Sequence, residues 1–269
     1  MMKMFCKGSL TLALLFGSTL AMANCDLLKN LEITTPNTTT ICKPDIDVLF
    51  GYSTEYKSPV WGVYKMKSSL SAQKPVYLRS TGMHSPIRGI SIDDQTSPTQ
   101  IIKSGQAKAY LVPHYNVLSH ASQVSKFLTM ANVFPVKKEL WSSRLRGMMF
   151  ELGANERTMA LTKGDFDVVS GVVYDDELID EVPSAKYLYK VYYHSKYDYT
   201  LSYLIPVKAK TNVLSSYLTS VRCIEEVSGH TLFSGFAASM KQSIKNGVAF
   251  SSKHWASPNH KESSCLLKS

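Results

Sequence analysis

Residues 103–151 form the stretch that most restricts what this chain can fold into. The stretch begins with a short segment that ends in a turn at Pro113, and a polar loop then leads to a second, apolar segment over residues 127–134. Pro135 is expected to stop this second strand, because proline has no backbone N–H to donate to a sheet. The basic run that follows, residues 136–151, is predicted to be a helix. The order predicts a ββα unit.

The first segment of this unit contains ten residues that resemble a nuclease motif. Residues 104–113 read Ser-Gly-Gln-Ala-Lys-Ala-Tyr-Leu-Val-Pro. The secreted DNA/RNA non-specific endonuclease family, one of the ββα-metal nucleases, has Ser-Gly-Tyr-Asp-Arg-Gly-His-Leu-Ala-Pro there. In this register Tyr110 stands at the position of the family's general-base histidine. Lys108 stands at the position of its arginine, and Ala107 at that of its aspartate.

The second segment resembles the family's next element, in which an asparagine binds the catalytic metal. Residues 130–136 read Met-Ala-Asn-Val-Phe-Pro-Val and lead to Leu140. The family has Leu-Ser-Asn-Met-Ser-Pro-Gln there, followed by Leu-Asn-x-Gly-x-Trp, and the asparagine after the second leucine is the metal ligand. Trp141 occupies that position in this chain.

Later segments resemble the family in the same order, from about residue 50 to residue 236. They include Val-Val-Ser-Gly-Val-Val-Tyr-Asp-Asp over residues 168–176, and Ile-Glu-Glu-Val-Ser-Gly over residues 224–229. The resemblance implies an α/β (α+β) fold of the ββα-metal endonuclease type, with a central, mainly antiparallel sheet flanked by helices. It implies one domain, residues 48–240.

Three further expectations concern the parts of the domain around the ββα unit. Residues 65–100 are rich in Ser, Lys, Pro and Gln, so they are expected to form long surface loops in which Asp93 and Asp94 are solvated. Trp61 and Tyr64 are expected to pack in the core. Gly171 is expected to interrupt the strand that contains it.

The N-terminus has the pattern of a secretory signal peptide. Lys3 and Lys7 precede an apolar run over residues 9–20, and Ala-Met-Ala at residues 21–23 is a small-x-small cleavage signature. The run is too short for a transmembrane anchor. We therefore expect cleavage after residue 23, no membrane span, and export to the periplasm or the medium. Residues 24–47 are expected to form a disulfide-pinned arm, and residues 241–269 a polar tail.

Charge and cysteine content fit an exported protein with a polyanionic partner. The formal net charge is +9, and the loss of Lys3 and Lys7 with the leader lowers it to +7. Such a charge attracts nucleic acid, although it also serves solubility alone.

Four cysteines remain after cleavage and allow three pairings, of which Cys25 with Cys42 and Cys223 with Cys265 join the nearest partners.

The two substituted positions bear on the chemistry that the resemblance implies. The family cleaves phosphodiesters with a histidine base, an arginine and a bound Mg²⁺ ion. Tyr110 is a poor base, because an ordinary phenol has a pKa of ~10. Trp141 has an N–H donor and no lone pair for a hard cation. We therefore expect metal-dependent hydrolysis to be lost or impaired, and Mg²⁺ to bind weakly or not at all.

Other residues offer partial replacements for the missing groups. His114 follows Tyr110 by four residues and is a candidate substitute base. Asn116 or Asn132 could supply a metal ligand from a shifted position. Glu151 matches a glutamate of the family's helix only loosely.

Binding to nucleic acid requires less than cleavage, because cations along a groove suffice for phosphate contacts. Tyr110, Tyr115 and Trp141 could stack bases of a single strand. A solvated helix face is the alternative interpretation of part of this cluster. The basic residues of the unit are Lys103, Lys108, Lys137, Lys138, Arg144 and Arg146.

The sequence therefore predicts an exported endonuclease-like protein that binds DNA or RNA through a basic groove and has lost or impaired catalysis. One alternative is an active, divergent Mg²⁺-dependent endonuclease that uses His114 or another metal ligand. A second alternative is a secreted protein-interaction module whose aromatic loops contact a protein partner.

Overall fold

The fold is described from a computed structural model, which covers residues 31, 33–76, 84–141, 143–236, 244–247 and 265. The signal peptide predicted for residues 1–23 lies outside these ranges, as does most of the tail predicted for residues 241–269. No helix within the ranges combines the length and the apolar character that a membrane span requires.

Nine strands form two antiparallel sheets in the described part of the chain. The large sheet has seven strands in the order β1-β2-β3-β6-β7-β8-β9, and β4 pairs with β5 in a separate hairpin. The strands are β1 Thr38–Lys43, β2 Val48–Ser53, β3 Ser58–Met66, β4 Gln106–Tyr110, β5 Val133–Lys137, β6 Phe166–Tyr174, β7 Ala185–His194, β8 Tyr199–Pro206 and β9 Leu218–Thr219.

Six α-helices within residues 33–236 of the described chain connect or cover these strands. The longest, α5, follows the hairpin directly and completes a ββα unit. The helices are α1 Ser68–Ser71, α2 Pro98–Lys103, α3 His114–Val117, α4 Val124–Phe127, α5 Ser143–Lys163 and α6 Val221–Ser228. The α+β fold class expected from the sequence, a large antiparallel sheet flanked by helices, is therefore confirmed.

The centre of the large sheet is formed by strands rich in valine and tyrosine, which suit a pleated, buried surface. Gly171 does not interrupt β6, contrary to expectation, because it pairs in register with Trp61 and Tyr189. A Cβ atom at this position would lie 1.9 Å from Cζ of Tyr189. The glycine thus makes room for a tyrosine ring across the sheet. Trp61 and Tyr64 are buried, as expected.

Several boundaries differ from the expectations. The supposed arm contributes β1, an edge strand of the large sheet. Residues 65–100 include the end of β3 together with α1 and the start of α2. Pro135 lies inside β5 opposite Lys108, where a two-stranded sheet leaves one edge of each strand unpaired and tolerates a missing N–H. The helix begins at Ser143 and continues to Lys163, well beyond residue 151.

A buried polar cluster joins α5 to the large sheet. The Glu156 carboxylate has no exposed surface and forms an ion pair with Lys190, which is 1 % exposed. Tyr64 donates a hydrogen bond to Glu156 Oε2 over 2.6 Å, and Tyr192 donates one to Oε1 over 3.1 Å. Asn116 donates to Oε2 over 2.5 Å. The burial and the Glu156 charge raise the pKa of Tyr64 and Tyr192, so both phenols stay protonated and donate.

One of the two expected disulfides lies within the described residues. Cys223 of α6 is bonded to Cys265, with 5.1 Å between their Cα atoms, so the predicted pairing of these cysteines is confirmed. Cys42 is also disulfide-bonded. Its expected partner, Cys25, lies outside the described residues.

Removing Lys190 from the cluster should strongly destabilise the protein. In Lys190→Met the Glu156 carboxylate stays buried without its counter-ion, and we expect the free energy of unfolding to fall by about 3–5 kcal/mol. Lys186→Met, at an exposed site on the same strand, should change it by less than about 0.5 kcal/mol. Urea unfolding followed by circular dichroism measures both. Equal losses in the two variants would contradict this role of the ion pair.

Candidate nucleic-acid interface

The β4–β5 hairpin separates the residues of interest into two groups. Gln106 pairs with Lys137 at one end, and Tyr110 pairs with Val133 at the other. The two ends are four residue steps apart along β4, about 13 Å of extended chain. Lys108 and Tyr110 are two residues apart on β4, so their side chains share one face of the hairpin. Both side chains are partly exposed.

Local interactions fix the entry and the exit of β4. Helix α2 begins with a capping box between Ser97 and Gln100, and Gly105 turns the chain into β4 with φ +72°. After β4, the buried Asn132 side chain accepts a hydrogen bond from the Val112 N–H over 2.9 Å and donates one to its carbonyl over 3.2 Å. Asn132 therefore joins the two ends of the segment that connects β4 to β5.

The Tyr110 hydroxyl lies 2.9 Å from Nε2 of His84, and Phe127 packs beside the phenol ring. Burial raises the pKa of Tyr110. The phenol is therefore protonated at neutral pH and even less suited to act as a base than an exposed tyrosine.

His84 is a site residue that the sequence analysis missed. It is 8 % exposed, and its Nδ1 atom is buried without a hydrogen-bond partner among the described residues. Burial lowers its pKa, and the nearby charge of Lys108 lowers it further, so the imidazole is neutral near pH 7. His84 lies 26 positions before Tyr110 in a Ser- and Pro-containing stretch. No local pattern links the two residues.

His114, the candidate substitute base, begins α3 and lies edge-on to Phe127, with ring centroids 5.9 Å apart. Burial lowers its pKa to about 4. The ring is therefore neutral at pH 7, but it is a weak base. Its neighbour Tyr115 packs against α5 so closely that a Cβ atom at Gly153 would lie 2.1 Å from the Tyr115 hydroxyl.

The residues at the expected metal position do not fit Mg²⁺, which prefers six oxygen ligands in an octahedron. Trp141 is a partly buried ring packed on the core, and its indole offers no lone pair. Both polar atoms of the Asn132 amide are engaged with Val112. The buried Oδ1 atom of Asn116 accepts no hydrogen bond from a described residue, but its neighbour Glu156 is neutralised by Lys190. The described ranges contain no group of three or more His, Cys, Asp or Glu side chains placed to hold a metal.

Three of the predicted basic residues lie at the Gln106 end of the hairpin. Lys103 is exposed at the last position of α2, three residues before β4, and Lys138 is exposed directly after β5. Lys137 is partly buried and lines a pocket beside the large sheet. Lys108 lies further along β4, toward Tyr110. The four lysines therefore follow the length of the hairpin.

The two predicted arginines lie on the first turn of α5 and differ in their surroundings. The Arg144 guanidinium donates hydrogen bonds to the carbonyls of Ala209 and Lys210, over 3.1 and 3.0 Å. Arg144 therefore anchors a loop. Arg146 is exposed and forms no ion pair with a described residue.

Comparison with solved structures identifies the fold. A chain from the crystal structure of the EndoG/EndoGI complex, which concerns the mechanism of EndoG inhibition, superposes with a TM-score of 0.66. The match covers 81 % of this chain and 93 % of that chain, at 15 % sequence identity. The fold is that of a ββα-metal nuclease. No protein-family profile and no curated protein sequence matches the chain. The nuclease-like fold thus persists where sequence similarity is very low.

The depressed pKa of His114 should make stability depend on pH. Its folded-state pKa of about 4 lies below the ordinary value of 6.5, so between these values the unfolded chain binds the additional proton. This contribution to stability is complete above pH 6.5 and declines as the pH falls toward 4. In His114→Gln the decline should be shallower.

Urea midpoints measured from pH 7.5 to 4.5 test this expectation, with the exposed His120→Gln as the matched control. Burial also lowers the pKa of His230 to about 4, and His230 remains in both variants. A His114→Gln curve parallel to that of the unsubstituted protein would contradict the assignment.

Proposed function

We propose that this protein is an exported, endonuclease-like protein that binds single-stranded DNA or RNA along the β4–β5 hairpin, with the family's metal-dependent cleavage lost or impaired. The proposed hairpin surface consists of Lys103, Lys108, Tyr110, Lys138 and Arg146. Export and the identity of the nucleic acid are parts of the proposal that rest on the sequence alone.

One observation carries the proposal: Lys108 and Tyr110, both partly exposed, share one face of β4 in a fold of the nuclease type. The Lys108 ammonium suits a phosphate oxygen, and the Tyr110 ring, fixed by His84 and Phe127, suits the face of a base. Lys103 and Lys138 continue the positive charge to the far end of the hairpin. Cations beside aromatic rings are the usual components of a single-strand groove.

The same residues explain why cleavage by the family's route is not expected. A protonated, partly buried Tyr110 cannot remove a proton from water at neutral pH, and loss of such a base lowers rates by ~10²–10⁴. The Trp141 side chain supplies no oxygen ligand for a magnesium site. The missing base and the missing metal ligand affect separate requirements of the reaction. Restoring one of these groups would therefore leave the other absent.

Binding should be electrostatic and should depend on the hairpin lysines. We expect a fluorescent 20-nucleotide single strand to bind at low salt and to weaken steeply between 50 and 200 mM salt. In Lys103→Gln/Lys108→Gln/Lys138→Gln, the slope of log K against log salt should fall by about 0.7 per lost phosphate contact. Fluorescence anisotropy measures both quantities.

The matched control is Lys74→Gln/Lys163→Gln/Lys196→Gln, which removes the same charge from exposed lysines outside the hairpin. Its salt slope should equal that of the unsubstituted protein. Equal weakening in both triple variants would mean that net charge, not the hairpin, drives binding. Absence of binding at low salt would refute the proposal and favour the protein-interaction module.

A second candidate function, residual phosphodiester cleavage, is favoured by the contact between His84 and Tyr110. His84 is a neutral imidazole next to the position of the family's base, and Lys108 is close enough to affect its pKa. In this arrangement His84 would accept a proton from the attacking water, and the Lys108 ammonium would balance the added negative charge on the phosphate. The imidazolium would then return the proton to the leaving oxygen as its bond to phosphorus breaks.

Incubation of the mature protein with plasmid and with RNA, with Mn²⁺ and then with EDTA, separates the two functions. The principal proposal predicts no cleavage above background. Cleavage that is lost in His84→Ala and retained in His120→Ala would establish the second function. Cleavage that is lost only in His114→Ala would assign the base to His114.

A further inference from the structure

A lysine-lined pocket lies where the hairpin meets the large sheet, at the end of β4 and β5 opposite Tyr110. Its volume is about 320 Å³. Lys137 of β5 and Lys186 of β7 line it, together with Lys208 and Lys210 from the segment after β8. Asp175 is the one acidic residue of its lining and lies 3.9 Å from Lys186. The lining therefore has an excess of three positive charges.

The segment that carries two of these lysines is held in place. The Val207 N–H donates a hydrogen bond to the Lys186 carbonyl over 2.9 Å, which extends the pairing of β7 with β8. On its other side, the Arg144 guanidinium holds the carbonyls of Ala209 and Lys210. The chain between these anchors is fixed at both ends. Its lysines are therefore presented to the pocket at a low cost in backbone entropy.

Three lysines of the pocket form no ion pair with a described residue: Lys137, Lys208 and Lys210. Other lysines of the protein do pair with a carboxylate, namely Lys65, Lys67, Lys126, Lys190 and Lys245. Three unpaired ammonium groups around one concavity repel one another unless an anion lies between them. The arrangement favours a ligand with at least two negative charges, such as a phosphate monoester.

The remaining walls of the pocket are apolar. Leu140, Pro206 and Val207 line it, and the partly exposed ring of Tyr187 forms a flat side. The volume falls at the lower end of the range for small-ligand sites. An aromatic wall beside a group of cations suits a ligand with a planar base and a phosphate.

We propose that this lysine pocket binds a nucleotide, with the phosphate between Lys137, Lys208 and Lys210 and the base against Tyr187. The nucleotide is either free or the phosphorylated end of a strand bound to the hairpin. In the second case the inference rests on the proposed function, because the strand reaches the pocket along the hairpin.

Calorimetric titration of the intact protein with adenosine monophosphate, adenosine and inorganic phosphate tests the proposal. Adenosine monophosphate should bind, and adenosine should bind at least about tenfold more weakly because it lacks the charge-assisted hydrogen bonds. Lys208→Gln/Lys210→Gln should weaken the monophosphate at least about tenfold. The control Lys74→Gln/Lys196→Gln removes the same charge from other exposed sites and should change it less than about twofold.

Tyr187→Leu separates the base contact from the phosphate contact. It should weaken adenosine monophosphate and leave inorganic phosphate unchanged, and a native circular dichroism spectrum shows that the variant is folded. The proposal is overturned if the monophosphate does not bind, or if the pocket variant and its control weaken binding equally. It is also overturned if adenosine binds as tightly as the monophosphate.

Oligonucleotides with and without a 5′-phosphate distinguish the two sources of the ligand. A preference for the phosphorylated strand that disappears in Lys208→Gln/Lys210→Gln places the strand end in the pocket. No preference, with binding of the monophosphate intact, assigns the pocket to free nucleotides. Failure of the hairpin variants to weaken strand binding would refute the proposed function and leave the monophosphate result unaffected.

Discussion

The ion pair between Glu156 and Lys190 is the interaction on which the arrangement of this protein depends. It joins the middle of α5 to β7, an interior strand of the large sheet. Tyr64 and Asn116 bring β3 and α3 to the same carboxylate. Burying two charges has a large desolvation cost, which the pair and its surrounding donors offset only when all of them are in place. The cluster therefore specifies one position of α5 on the sheet.

The residues that maintain the fold differ from those that would carry out catalysis. Glu156 holds α5 on the sheet, Asn132 holds the hairpin, and Gly171 makes room for a tyrosine ring in the sheet. These roles require neither a metal ion nor a catalytic base. A phenol at position 110 and an indole at position 141 are therefore compatible with the ββα unit. The aromatic rings at these positions add packing area to the hairpin. The nuclease-like fold therefore carries a hairpin surface whose side chains are cationic and aromatic.

Sequence patterns predicted the strands better than the site. The valine-rich run over residues 168–174 located most of β6, because such residues suit a buried, pleated sheet. The end of α5 was misjudged because Glu156 and Arg157 resemble solvated residues. Only the tertiary structure supplies their partners, which are Lys190 for Glu156 and carbonyls of α1 and α3 for Arg157. His84 was missed for a similar reason, since its contact with Tyr110 spans 26 residues. Burial and long-range pairing are not encoded in local periodicity.

Binding of a nucleic-acid strand without a catalytic metal is tested most directly by a crystal structure of the protein with a single-stranded oligonucleotide and Mn²⁺, using anomalous scattering to locate the ion. We expect phosphates beside Lys108, a base against Tyr110, and no manganese within coordination distance of Tyr110, Trp141 or the phosphates between them. A well-occupied ion that bridges a phosphate and residues of this face would contradict the account. So would a strand bound to a surface away from the hairpin.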